Sequence, residues 1–185
     1  AVMASWGYRD RPYSALAKDA AMRALELDPS LSMPWAVLGL VASRDPWPVD
    51  YERVLDLMGQ AVAADPRNAT AYLWRSMQWM ELGFFDRAIA DLDRSLELEP
   101  NYPNAERHKA LALLLDGEVE AGIELFERGR AAGFRRSREE NFIGPLVARG
   151  DTLAVQLLMD DLGFDREVRA MLLDSLQHPG PPRED

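Results

Sequence analysis

The chain has 185 residues, a formal net charge of −10, 48% hydrophobic residues and no cysteine. The lack of cysteine excludes disulfides, zinc–thiolate sites and thiol nucleophiles, and leaves cytoplasm and periplasm both open. The acidic balance argues against nucleic-acid binding, which needs a basic face toward phosphate, and no apolar run approaches the ~18 residues of a membrane span.

The N-terminus, AVMASWGYRD, lacks a signal-peptide pattern and an initiator methionine, so a fragment of a longer protein is expected. Residues 1–10 read as the remnant of a first helix and 13–28 as its Ala- and Leu-rich partner. A helix is predicted over 33–44, before Asp45-Pro46-Trp47-Pro48, where the prolines forbid helix. Trp47 has two readings, tucked under the hairpin or exposed as an anchor for a partner. Asp50 is placed to cap the next helix, 51–64.

Two apolar-periodic runs follow, 71–82 and 84–98, joined at Gly83 and stopped at Glu99-Pro100. Apolar residues three and four apart share one helical face, so this stretch is a helical hairpin. Another unit occupies 103–132. From its end onward, Arg128, Arg130, Arg135, Arg136 and Arg138 form a basic cluster, read first as a solvated turn and second as an acidic-partner or phosphate contact. Helices over 139–149 and 151–162, joined at Gly150, look like a worn pair. A last amphipathic helix over 165–177 aligns Val168, Met171, Leu172 and Leu176, before a frayed tail at 179–185. That helix either caps the pair 139–162 or folds back near Leu73, Met77 and Leu111 as an internal ligand.

The spacing inside the hairpin recurs. Counted from Ala69, an aromatic stands fourth (Tyr72), a small residue eighth (Ser76) and an aromatic eleventh (Trp79). Glycine stands fifteenth (Gly83), alanine twentieth (Ala88), leucine twenty-fourth (Leu92), serine twenty-seventh (Ser95) and proline thirty-second (Pro100). The acid–proline ending also occurs at Pro29 and Pro66, the earlier interval being three residues longer. Trp35, Leu38 and Gly39 open the unit before, and Ala110, Gly117, Gly122, Phe126 and Gly129 mark the unit after. Counting back from Pro29 puts Ser5, Tyr8, Ala17 and Ala24 in frame. Small residues at fixed places are what two closely crossing helices require.

This pattern resembles the tetratricopeptide repeat, a helix–turn–helix unit of about 34 residues. Arg75 departs from it, standing seventh where leucine is usual. The resemblance implies an all-α solenoid of stacked antiparallel helix pairs wound as a right-handed superhelix. It would form one domain over 1–178, with repeats at about 1–31, 32–68, 69–102 and 103–134, a degenerate pair 137–162 and a cap at 165–177. Gly39, Ser76, Ala88 and Ala110 are then expected at close crossings. The elongated Asp-Pro-Trp loop is similar to repeats attached to bacterial winged-helix regulators or nucleotide cyclases.

In that family the second, fifth, ninth and twelfth residues of each first helix face a concave groove. Carried over, these are Met33, Ala36, Leu40 and Ser43, then Thr70, Leu73, Met77 and Met80, then Asn104, Arg107, Leu111 and Leu114. Part of the set is expected to be buried by repeat packing. Arg107 is its sole cation, so the family's lysine–asparagine carboxylate clamp is not matched. Methionines adapt to varied apolar surfaces, which suits an apolar helix or extended segment.

No catalytic, cofactor or metal site is expected. His108 and His178 are too few and too separated for a metal pair. Asp91 and Asp93, like Asp160 and Asp161, splay apart on a helix and make no acid dyad. No phosphate-cradling loop or nucleophile elbow occurs. The expectation is a non-enzymatic protein-interaction scaffold, the regulatory repeat domain of a larger bacterial protein, with a protein or peptide partner. The alternative is a structural spacer or a self-associating module, including a homodimer, with its groove filled by its own chain.

Overall fold

The computed structural model describes residues 11–44 and 48–131, together with Thr152, Val155, Gln156, Met159, Arg166, Glu167, Ala170, Leu173 and Asp174. Seven helices are described, with no strand among the described residues: α1 (Arg11–Leu27), α2 (Ser32–Ala42), α3 (Tyr51–Ala64), α4 (Ala69–Glu81), α5 (Phe85–Leu98), α6 (Pro103–Asp116) and α7 (Val119–Ala131). The chain divides into two compact units, Ala1–Ala105 and Glu106–Asp185. Residues 1–10, the loop tryptophan Trp47, the stretch 132–150, the apolar stripe of the C-terminal helix and the tail lie outside the described residues.

Helix ends follow local chemistry. Asp50 accepts a 3.0 Å bond from the Arg53 amide at the start of α3, and Asn68 accepts a 3.1 Å bond from the Ala71 amide at the start of α4. Each satisfies one of the amides a helix start leaves without a partner. Helix α2 stops at Ala42, two residues short of the expected 44, because Ser43 turns and donates its hydroxyl to the Leu40 carbonyl at 3.0 Å. The glycine at the fifteenth place ends both later first helices. Gly83 (φ +80°) and Gly117 (φ +100°) enter the left-handed region that side chains disfavour. The amides of Gly83 and Phe84 return to the Met80 and Trp79 carbonyls, and those of Gly117 and Glu118 to the Leu114 and Leu113 carbonyls. Paired bonds of this kind close a Schellman turn.

In the first unit α2 packs on α3 and α4 on α5, α1 lies against α2, and α3 meets α4. The crossings sit where the small residues stand. Ser76, Ala88 and Ser95 are fully buried, and a Cβ on Gly39 would lie 3.0–3.2 Å from the Met58 side chain of α3. Ala36, Met58, Ala61 and Ala71 form the core between the two hairpins, with Trp35, Leu40, Val62 and Trp74 packed around it. Leu92 is wholly buried, and such a side chain contributes about 1.5–3 kcal/mol. In the second unit a Cβ on Gly122 of α7 would come within 2.8 Å of Leu114 and 2.9 Å of the Ala110 carbonyl, so α6 and α7 touch there backbone to backbone.

A hydroxyl also ties the two helices of each hairpin in the first unit. Ser95 of α5 donates to the Ala69 carbonyl at 2.9 Å, and Ser32 of α2 donates to the Ala61 carbonyl at 2.7 Å. The two bonds join the same repeat positions with donor and acceptor exchanged: the first place and the place five residues before the closing proline. Asn68, the N-cap of α4, adds a 2.9 Å bond to the Ser32 hydroxyl and so ties the starts of α2 and α4 together. Ser95→Ala should therefore cost about 1 kcal/mol, the net worth of one buried hydrogen bond. Denaturant unfolding of that variant with an unchanged midpoint would show that the link carries no stability.

Candidate protein-interaction site

The first helices α2 and α4 touch one another in the first unit. Of the positions carried over from the repeat pattern, Ala36, Leu73 and Met80 are buried, at 0%, 3% and 7% exposure, so they pack within the repeats. Met33 is exposed, while Leu40, Ser43, Thr70 and Met77 are partly exposed. The Thr70 hydroxyl lies 3.2 Å from that of Tyr102, which holds both side chains in place. Asn104, at the start of α6, is exposed. In the second unit Leu111 and Leu114 are buried and Arg107 is half-buried. Every residue from Ala110 to Leu115 is buried, so this part of α6 is enclosed on all sides. A binding face built from described first-helix residues of the first unit thus reduces to Met33, Leu40, Ser43, Thr70 and Met77.

Arg75, the residue that breaks the repeat pattern, has a partner. Its Nε and Nη2 donate to the two carboxylate oxygens of Asp91 at 2.7 and 2.6 Å, joining α4 to α5. The guanidinium also lies 5.6 Å from the centre of the Tyr72 ring. The hydrogen bonds to Asp91 raise the Arg75 pKa above its usual value, against the opposing effect of burial. Asp91 is therefore consumed by a structural pair, in keeping with its separation from Asp93. Sequence reasoning noted Arg75 and Asp91 separately and missed the pair; the signal was two charges at inward positions of facing helices. Nearer the surface, Tyr51 donates to Glu81 at 3.0 Å, and burial, followed by the charge and hydrogen bond of Glu81, pushes its phenol up to about 12.

At the turn between α4 and α5 the guanidinium of Arg87 lies 5.0 Å from the centre of the Trp79 ring and 5.1 Å from that of Phe84. The two rings meet edge to face at 5.9 Å. Phe84 is 46% exposed. Of the basic cluster, Arg128 is exposed on α7; Arg135, Arg136 and Arg138 and the side chain of Arg130 lie outside the described residues. Among the described residues no three His, Asp or Glu converge as a metal site, and no helix is long and apolar enough to cross a membrane.

Helix pairs that cross at small residues and repeat at a fixed interval define a helical-repeat protein, a class that offers extended surfaces to other proteins. No family model matches the chain. It is 30% identical over 80 residues to the SGT1 homolog of Oryza sativa, covering 43% of this chain and 22% of that protein. It is 29% identical over 82 residues to tetratricopeptide repeat protein 28 of Homo sapiens, covering 44% of this chain and 3% of that protein. The chain thus spans less than a quarter of the length of either. Its fold matches PilF of Pseudomonas aeruginosa with a TM-score of 0.62 at 19% identity, over 95% of this chain and 89% of that one. The fold is that of the tetratricopeptide-repeat proteins, an all-helical solenoid.

Proposed function

We propose that the chain is a protein-interaction scaffold that holds an apolar helix or extended segment of a partner along α2 and α4. The observation that supports this reading is the exposure of Met33 and the partial exposure of Leu40 and Met77 on two touching first helices whose Ala36, Leu73 and Met80 are locked in the core. A rigid floor with flexible thioethers above it adapts to varied apolar side chains without reordering the backbone. The regulatory role of such a module in a larger bacterial protein is part of the proposal and rests on the elongated loop after α2. The protein with 13C-labelled methionine methyl groups tests the binding face. On titration with a Leu/Ala-rich amphipathic peptide, the Met33 and Met77 methyl signals should shift while that of the buried Met58 stays. A titration that moves none of the three, or Met58 alone, removes the reading.

A second reading, self-association, is favoured by α1, which leaves Tyr13, Leu16 and Leu27 exposed at 70%, 64% and 73%. Large apolar side chains gathered on one helix are costly to leave in water. Sedimentation of the parent and of Leu16→Glu/Leu27→Glu decides it. A dimer lost in the double variant supports self-association through α1, and a monomeric parent ends it.

A further inference from the structure

We propose that Arg87, stacked against Trp79 and Phe84, is a recognition site for a single carboxylate flanked by a bulky apolar residue, carried on a segment of a partner protein. The guanidinium lies about 5 Å from the centres of both rings, which meet edge to face on one side of it, and the exposed side chain leaves N–H donors open to solvent. Among the described residues no carboxylate takes a hydrogen bond or ion pair from it. The acids nearest in sequence are committed or turned away. Glu81 accepts from Tyr51, and Asp91 is held by both donors of Arg75. Asp86 is the adjacent residue on α5, and adjacent residues on a helix do not face each other.

A long arginine side chain ordinarily loses much freedom when it binds. Here stacking has restricted it before a ligand arrives, so two parallel N–H bonds to a carboxylate form at smaller entropic cost. Phe84, itself 46% exposed, lies beside the guanidinium and supplies apolar contact for the residue next to the acid. Arginine with large aromatics is also the composition that dominates binding energy at protein interfaces. The charge of −10 narrows the ligand further, because a run of acids would be repelled by the whole molecule. One carboxylate among apolar neighbours fits both the local cation and the global charge. This site is at the α4–α5 turn and stands independently of the first-helix face.

The probe is the capped pentapeptide Ac-Ala-Leu-Glu-Phe-Ala-NH2, titrated calorimetrically into the full chain at low salt. Arg87→Gln should weaken binding about tenfold, as expected for losing a hydrogen bond to a charged group. Replacing the peptide's Glu by Gln should weaken binding to the parent protein by a similar factor, with no further loss when the two changes are combined. Arg53→Gln, at an exposed arginine of α3, should leave the affinity unchanged. Arg87 is exposed, so its variant should keep the parent's circular dichroism; if it does not fold, the Glu-to-Gln peptide against the parent decides alone. The proposal is overturned if the parent gives no heat at millimolar peptide, if both peptides bind equally, or if Arg53→Gln rather than Arg87→Gln removes binding.

Discussion

Asp91→Ala should destabilise the protein by about 3 kcal/mol, or roughly 6–12 °C in melting temperature for a chain of this size. The Asp91 side chain is 9% exposed and that of Arg75 23% exposed, so the pair is largely removed from water. Deleting the carboxylate leaves a guanidinium between two helices with its charge unmet, and this desolvation dominates the loss. Water reaching the Arg75 end tempers it, which sets the estimate at the low end for buried pairs. The double variant Arg75→Leu/Asp91→Leu removes both charges and restores the apolar seventh position of the repeat. It should be as stable as the parent or more so, because well-packed apolar side chains often replace a buried ion pair without loss. Thermal unfolding of the three proteins checks both statements. A single variant that melts with the parent, or a double variant that melts as low as the single, contradicts this account.

Gly122→Ala and Gly59→Ala should differ by about 2 kcal/mol, with opposite signs. Both glycines are helical, and alanine there gains up to about 1 kcal/mol in helix propensity. At Gly59 nothing lies within 4 Å of the added carbon, so the gain is kept and stability rises. At Gly122 the new carbon would sit 2.9 Å from the Ala110 carbonyl, a backbone atom that cannot step aside, and 2.8 Å from Leu114. Helices α6 and α7 must then separate, and overpacking of this kind costs about 1–3 kcal/mol, more than the propensity gain. Gly39 is the intermediate case. Its obstruction is the flexible Met58 side chain at 3.0–3.2 Å, which can rotate away. Denaturant midpoints should therefore order Gly59→Ala above Gly39→Ala above Gly122→Ala; Gly122→Ala at or above the parent would mean that α6 and α7 do not cross there.

What could be read from residue order alone was set by short-range physics. Prolines after Asp28, Asp65 and Glu99, the capping side chains of Asp50 and Asn68, and the left-handed turn at Gly83 act within a few residues of themselves. Each therefore marks a helix end wherever the chain later packs. The recurrence of small residues at fixed places carried the information one step further, to which helices must cross closely. It could not say which first-helix residues stay accessible, because one helical position is buried or open according to what the neighbouring helix brings to it. Leu73 and Met77 have the same apolar character in sequence, yet only packing buries the first and leaves the second partly exposed. The Arg75–Asp91 pair, the exchanged hydroxyl links of Ser32 and Ser95, and the stacking of Arg87 on Trp79 and Phe84 were decided at the same level. Each depends on the angle and closeness of two helices, and a bidentate ion pair or a stacked guanidinium is lost when that geometry shifts by an ångström.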